Sequence, residues 1–324
     1  MIFFITNKED ITTDFIINKL NQRGTHYYRL NTEDLANSVG INFDFDNGVY
    51  EIIDKNKMES INLSKVKSVY FRRPRIPDIE NSLLSDSENF LIKNEIAYTL
   101  EGLYKILSDK FWISPVFSIR EAENKIYQLI LAKELGFKIP SSLITTNEVN
   151  AKNFIQKNYS NCIIKPIKSG FIDDKYNPKV IFTSVLNKEQ LNELNRVCCC
   201  PTYFQNNINK SADIRVTVVG KKTFSAKICS QEFKETKVDW RKGNNTNLKY
   251  DHYTLDSATE KKCIKLLEHL KLNFGAIDFV LNKNGELIFL EINPNGQWGW
   301  IEKRLNLDIS GEIIKLLEKG NETQ

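Results

Sequence analysis

Asp278 interrupts an apolar run at residues 274–281, and Glu291 lies near the end of a second run at residues 286–292, with Asn293 directly after it. Between the runs stand Asn282-Lys283-Asn284-Gly285, a turn sequence, so the two are predicted to pair as a hairpin that makes the acids near neighbours. Two close carboxylates repel unless a cation or a shared proton compensates. Oxygen donors from Asp, Glu and Asn suit magnesium, which keeps waters and bridges to phosphate. Acids are also ordinary at solvated strand ends. Against that plainer account, Glu291-Ile292-Asn293-Pro294-Asn295-Gly296 sets polar groups straight after an apolar strand and then breaks it.

Cations that could meet a phosphate lie upstream. Lys165 closes the run Cys162-Ile163-Ile164 where Pro166 stops it, a place from which an ammonium can be aimed as a point charge. Lys125 falls among Ala122, Ile126, Leu129 and Ile130 at helical spacing, and most lysines so placed simply face solvent. In Asp213-Ile214-Arg215-Val216-Thr217-Val218-Val219 the polar residues alternate with apolar ones. Any half-buried strand alternates, but an arginine on that face brings planar donors that fit a carboxylate or phosphate. Arg72 and Arg73, ahead of Pro74, read as an exposed basic lip for an acidic substrate segment. Internal pairing to Glu88 or Glu95 is the alternative.

These side chains need elements to hold them. Residues 2–5, 26–30 and 68–71 read as strands, residues 11–20 as a helix, and residues 41–45 and 49–53 as a hairpin about Asp46-Asn47-Gly48. Residues 88–106 form an amphipathic helix and residues 112–115 a linker. Ser118 and Glu121 form a capping box that opens a helix running through Lys125 and Gln128 to Leu135, stopped by Gly136. Strands at 141–145, 162–165 and 180–184 and helices at 149–157 and 189–196 follow, with residues 168–178 irregular. A hairpin of residues 213–219 and 222–228 turns at Gly220-Lys221, residues 239–251 make a polar loop, and helices span 258–270 and 309–317.

Composition bounds the class. A chain of 324 residues with 41% apolar content can bury more than one core. With 45 basic and 41 acidic side chains, spread along the chain, no basic groove for a nucleic acid is expected. Residues 2–5 are too short for a membrane span and lack a basic leader. Cys198, Cys199 and Cys200 are consecutive and cannot all face one ion, and the three histidines lack ligand-spaced neighbours, so zinc is not expected. A reduced, cytoplasmic enzyme is the class that results.

Taken in order, Lys125, Lys165, Gln205 with Ile208 and Lys210, Asp213-Ile214-Arg215-Val216, Asp278 and Glu291-Ile292-Asn293-Pro294 resemble the ATP-grasp fold. Phe71-Arg72-Arg73-Pro74, the opening at residues 118–128, Leu143-Ile144-Thr145-Thr146-Asn147, Asp239-Trp240-Arg241 and Asn295-Gly296-Gln297-Trp298 with Trp300-Ile301-Glu302 further resemble the microviridin- and graspetide-type peptide cyclases. The resemblance covers about residues 1–315 and implies an α/β architecture, α+β in its ATP-binding part. It divides the chain into an N-terminal α/β domain (1–115), a central subdomain on which a leader peptide docks (116–200) and a C-terminal subdomain carrying the magnesium site (201–324). It implies ATP and magnesium, two ions being the expected number, with Lys125 and Lys165 on the phosphates. Gln205, Asn206, Ile208 and Lys210 would bind the nucleotide, Arg215 would face the transferring phosphoryl group, and Asp278, Glu291 and Asn293 would hold metal. Arg215 and Lys165 would be catalytic, and Arg72, Arg73, Asp239 and Arg241 would contact substrate. The glycine-rich phosphate loop expected of the fold is reduced here to Gly170 beside Ser169, and Thr202-Tyr203-Phe204 would wall the adenine. The implied partner is a ribosomally made precursor peptide with a leader and an acidic core, and a homodimer is compatible with it. The reaction would crosslink side chains of that peptide as esters or amides. A peptide-tail amino-acid ligase and a catalytically silent nucleotide-dependent peptide-binding protein are the alternatives.

Overall fold

The computed structural model describes residues 1–35, 37–79, 84–158, 161–168, 170–172, 179–242 and 247–320. The first part of the chain builds a parallel sheet from β1 (Ile2–Thr6), β2 (Tyr27–Asn31), β6 (Ser68–Phe71) and β7 (Phe111–Ile113) in the order β2-β1-β6-β7. Every residue of β1 is buried, as an apolar run between two covered faces requires. Helix α1 (Ile11–Arg23) opens on Asp10, whose carboxylate accepts from the Thr12 amide, and closes on Gly24 in the left-handed region. A small antiparallel sheet, β3 (Val39–Asp44), β4 (Val49–Asp54) and β5 (Glu59–Asn62), lies beside it, and α2 (Asp86–Ile106) follows. Strand β5 was not anticipated. Residues 112–115 are not a linker: Trp112 is buried, packs on Phe71 and Tyr104, and donates its indole N–H to the Leu107 carbonyl at 2.8 Å.

The helix expected from Ser118 is two helices, α3 (Val116–Ala122) and α4 (Lys125–Glu134). Ser118 lies inside α3, and the cap that matters is Asn124, whose side chain accepts from the amides of Ile126 and Tyr127 at 3.1 and 3.2 Å. Lys125 thereby becomes the first residue of α4 rather than a mid-helix lysine. Next come β8 (Ser142–Thr145), α5 (Glu148–Lys157), β9 (Cys162–Lys165), β10 (Phe171–Ile172), β11 (Lys179–Val180), β12 (Ser184–Val185), α6 (Lys188–Asn192) and β13 (Thr202–Asn206). Four of these strands form the antiparallel sheet β12-β9-β13-β8, backed by Ala151, Ile155, Leu186, Leu194 and Val197. Part of the segment expected to be irregular is regular, since β10 pairs with β11; residues 169 and 173–178 lie outside the described residues. The strand expected at 180–184 is split between β11 and β12.

The last part is a five-stranded antiparallel sheet in the order β16-β15-β14-β17-β18, from β14 (Lys210–Val219), β15 (Lys222–Ile228), β16 (Tyr250–His252), β17 (Phe274–Asn282) and β18 (Leu287–Asn293). Its edge strand β16 comes out of the expected 239–251 loop, of which residues 243–246 lie outside the described residues. Helix α7 (Ser257–His269) covers one face, where Ile214, Val216, Val218, Ile277, Phe279 and Phe289 join the core with Leu266 and Leu267. Helices α8 (Gly299–Leu305), which was not anticipated, and α9 (Ile309–Lys319) return to the first sheet. Ile309, Ile313, Ile314 and Leu317 of α9 are buried in one cluster with Phe4, Ile16, Leu20 and Tyr70. At about 1.5–3 kcal/mol for each such side chain, this contact ties the two parts of the fold together. No helix among the described residues is long and apolar enough to cross a membrane.

Candidate active site

The face of the last sheet opposite α7 carries a grid of polar residues. Arg215 of β14 stands opposite Asp278 of β17, which stands opposite Glu291 of β18. Two residues along, Thr217, Ala276 and Asn293 make the next row. A plain continuation of the hairpin from Leu281↔Leu287 and Phe279↔Phe289 would set Asp278 against Leu290. A bulge at that point inserts Leu290 and shifts the pairing to Glu291. Both Leu290 and Glu291 therefore line the cleft in front of the sheet. Without the bulge the alternation would send Glu291 to the core side with Phe289.

The cleft is about 350 Å³ and lies between this sheet and the central one. Lys125, Lys165, Gln205, Asn206, Ile208, Lys210, Asp239, Arg241, Asp278 and Glu291, all expected site residues, line it together. Its apolar surfaces are Ile163, Val180, Ile181, Phe182, Val280 and Leu290. The wall expected from Thr202, Tyr203 and Phe204 is not there: Thr202 and Phe204 face a groove on the other side of the central sheet, and Tyr203 is buried beneath the Lys165 ammonium at 4.6 Å from the ring centroid. Strand alternation explains this, because Gln205 points to one side and its neighbour Phe204 to the other.

Charge is concentrated at the base of the cleft. Arg215 Nη1 donates to Asp278 Oδ2 at 3.0 Å, and both residues are buried. Burial pushes the Asp278 carboxyl up to about 6, against the attraction of Arg215 and with repulsion from Glu291. Burial also opposes ionisation of Glu291, but Lys125, Lys165 and Arg241 outweigh it and hold that carboxyl down to about 2. Lys125 Nζ lies 3.2 Å from Glu291 Oε2 and Arg241 Nη1 3.4 Å from Glu291 Oε1. Burial lowers the Lys165 ammonium from its ordinary value, against the pull of Glu291. The neighbouring carboxylates are thus split, one near neutrality and one firmly ionised, by the cations each faces.

Several expected contacts need correction. Arg72 is not part of an exposed lip: it is 1% exposed and its guanidinium contacts Asp10, Thr12, Gly296 and Gln297. A buried cation needs a partner, and Asp10 is that partner rather than Glu88 or Glu95. Asp239 is likewise buried, its carboxylate accepting from the Arg241 amide at 3.1 Å and from the Arg241 guanidinium at 2.9 and 3.0 Å, so it orients Arg241 at the cleft. Arg73 is exposed and lies outside the cavity lining. Lys210 lines the cleft, yet its ammonium is taken by Asp213 at 2.6 and 2.8 Å and by the Val238 carbonyl at 3.2 Å, where it secures the segment leading to Asp239. Arg215 and Asn293 lie outside the cavity lining, behind Asp278 and beyond Glu291 along the sheet.

Two contributors, Trp240 and Gln128, stand in stretches quoted from the sequence but were given no role at the site. Trp240 lines the cleft, with the Arg215 guanidinium 5.7 Å from its ring centroid, and itself packs on Trp300. Gln128 reaches from α4 to the edge of β18, accepting from the Ile292 amide at 3.0 Å and donating to the Ile292 carbonyl at 2.9 Å. It thus substitutes for a missing neighbour strand between Glu291 and Asn293. Its only sequence signal is a glutamine at a buried position of an amphipathic helix.

Among the described residues no three His, Cys, Asp or Glu side chains are grouped to hold an ion. Metal at Asp278, Glu291 and Asn293 would need phosphate and water to complete its shell, which is magnesium's habit. Arg215 Nε and Thr217 Oγ1, on the same sheet face, are buried without a partner among the described residues.

Residues 1–120 match the MvdD pre-ATP grasp domain and residues 122–317 the RimK-like ATP-grasp domain. The chain belongs to the RimK-like ATP-grasp family. Over its whole length it is similar to two solved structures. One is the macrocyclase MdnC of Microcystis aeruginosa MRC bound with precursor peptide MdnA, at TM-score 0.87 and 28% identity over 98% of this chain and 99% of that one. The other is a RiPP-associated ATP-grasp ligase of Chryseobacterium gregarium in complex with ADP and a leader and core peptide, at TM-score 0.89 and 28% identity over 98% and 96%. The likeness to microviridin- and graspetide-type macrocyclases drawn from the sequence therefore extends through the entire fold. Among curated proteins, a probable alpha-L-glutamate ligase of Haemophilus influenzae is 25% identical over 61% of this chain, and the match spans 63% of that protein. An uncharacterized Mycoplasma genitalium protein, MG012, is 28% identical over 34% of this chain, and 36% of its length is spanned.

Proposed function

We propose that this protein is an ADP-forming carboxylate ligase that activates Asp or Glu side chains of a ribosomally made precursor peptide and closes them onto side-chain hydroxyls or amines of the same peptide. The observation that carries this reading is the Arg215–Asp278–Glu291 row at the base of a cleft lined by Lys125 and Lys165, in a chain similar throughout to peptide macrocyclases. Lys125 and Lys165 hold the nucleotide phosphates, Gln205, Asn206 and Ile208 border the base, and Ile163, Val280 and Leu290 give it apolar surfaces. Asp278, Glu291 and Asn293 hold magnesium, in one or two ions. Bound magnesium would neutralise charge on the phosphate oxygens. A substrate carboxylate oxygen attacks the γ-phosphorus, the bond to ADP breaks, and ADP leaves with the electron pair. Arg215 stabilises the charge moving onto the phosphoryl oxygens. A hydroxyl or amine then attacks the acyl carbonyl, loses its proton, and phosphate departs. Arg73 and Arg241 attract the acidic core, while the leader docks on the central sheet and raises the core's effective concentration.

Mass spectrometry of the peptide encoded beside the gene, after incubation with the protein, ATP and magnesium, tests this. Each crosslink should remove about 18 Da, one water, as condensation requires, with one ADP and one phosphate formed. The partial match to a probable alpha-L-glutamate ligase favours a second reading, amino-acid addition to a peptide end. A gain of one amino-acid mass would establish that reading instead, and AMP with pyrophosphate would exclude both.

A further inference from the structure

The turn that follows β18 is gripped from the first sheet by two arginines. Arg72, directly after β6, donates from Nη1 to the Gly296 carbonyl at 3.2 Å and from Nη2 to Gln297 Oε1 at 3.2 Å and Thr12 Oγ1 at 3.3 Å. Its Nε meets Asp10 Oδ1 at 3.2 Å, and Asp10 is itself held by the hydroxyls of Thr6 and Thr13 at 2.8 and 2.5 Å. Arg73 Nη2 donates to the Asn295 carbonyl at 3.0 Å, while Asn7 Nδ2 donates to the Arg73 carbonyl at 2.7 Å. Arg73 has φ +47°, a left-handed backbone that a side chain disfavours and that persists where the surroundings over-determine it.

From the other side the turn is closed on Asn293. The amides of Asn295 and Gly296 donate to Asn293 Oδ1 at 3.0 Å and to its carbonyl at 3.1 Å. A Cβ on Gly296 would lie 2.3 Å from the Cβ of Ala276, the residue paired with Asn293 on β17. The apolar cluster of α1, α8 and α9 already joins these parts of the chain. A buried ion pair adds little adhesion once its desolvation is counted, but a planar fork on two acceptors fixes direction.

We propose that Arg72 and Arg73 are positioning residues for the metal end of the site: through residues 295–297 they hold the Asn293 amide on the Asp278–Glu291 face. The proposal rests on the reading of Asn293 as a metal ligand. Manganese binding to the protein with ADP, followed by electron paramagnetic resonance without peptide, tests it. ADP binding in EDTA and the thermal midpoint are measured alongside. Arg73→Ala, Arg72→Lys and Asn293→Ala should each weaken manganese binding on the order of tenfold or more, the size typical when support around a ligand is lost. ADP affinity without metal should stay within about twofold in all three. Arg73→Ala should leave the midpoint in place, and it carries the test if Arg72→Lys does not fold. Weakened binding in Asn293→Ala with ordinary binding in the arginine variants overturns the positioning role alone. Ordinary binding in Asn293→Ala overturns the ligand reading and this proposal with it.

Discussion

Replacing Arg215 by methionine removes the cation beside Asp278 while keeping much of the side-chain volume. Asp278 is then buried against Glu291 with its nearest compensation gone, since Arg215 Nη1 at 3.0 Å is its side-chain donor among the described residues. Breaking one side of a buried pair costs about 3–5 kcal/mol, which for a chain of this size is roughly 4–7 °C in thermal midpoint. The loss must depend on pH. The folded Asp278 carboxyl already sits near 6 rather than 3.8 with Arg215 present, so it binds a proton more readily folded than unfolded. Stability from that group therefore falls as pH rises through this window, and losing Arg215 widens the window upward. At about pH 5 the carboxyl is neutral and Arg215→Met should lose only about 1 kcal/mol, the worth of one hydrogen bond. At about pH 8 the whole penalty should appear. Arg215→Lys keeps a charge and should recover most of the midpoint at both pH values, yet its turnover should fall on the order of a hundredfold, because the role proposed for Arg215 needs a planar fork that lysine lacks. Differential scanning fluorimetry at the two pH values and ADP release with peptide present measure both halves. An equal midpoint loss at both pH values would refute the electrostatic account, and normal turnover in folded Arg215→Lys would confine Arg215 to a structural role.

Glu291→Gln should abolish most ADP release, and it should also destabilise. Three cations converge on Glu291 and hold its carboxyl at about 2 against 4.5 when unfolded, so its ionised form contributes roughly 3 kcal/mol above pH 4.5, lost only as pH falls through about 2. Near-full turnover in the variant would remove Glu291 from the metal site. Gln128→Leu should cost about 2–4 kcal/mol by leaving the Ile292 amide and carbonyl unpaired at a buried strand edge. Hydrogen exchange should show the loss as faster exchange at Ile292, and unchanged protection there would show that another group takes over the edge.

Much of the site was legible because its chemistry depends on residue type. Lysine after an apolar strand, arginine on an alternating face and two acids across a turn retain their meaning without coordinates, and ten of the expected site residues do line one cleft. Errors fell where a residue's environment comes from a distant segment. Arg72 looked like a free cation because Asp10, 62 positions away, is invisible as its partner. Ser118 looked like a cap because the competing Asn124 is recognisable only from where the chain actually turns.

By itself, then, the sequence determined the inventory: which strands are apolar, which side chains carry charge, and that a hairpin brings Asp278 near Glu291. Local pattern suffices there, since burial and turn formation act over a few residues. Only the tertiary structure decided direction. Asp278 faces Glu291 because a bulge takes up Leu290, and a shift of one residue reverses which side of a sheet a side chain occupies. Beyond that bulge the edge of β18 is met by Gln128 and its outgoing turn by Arg72, contacts from residues 164 and 224 positions away whose geometry no local pattern encodes.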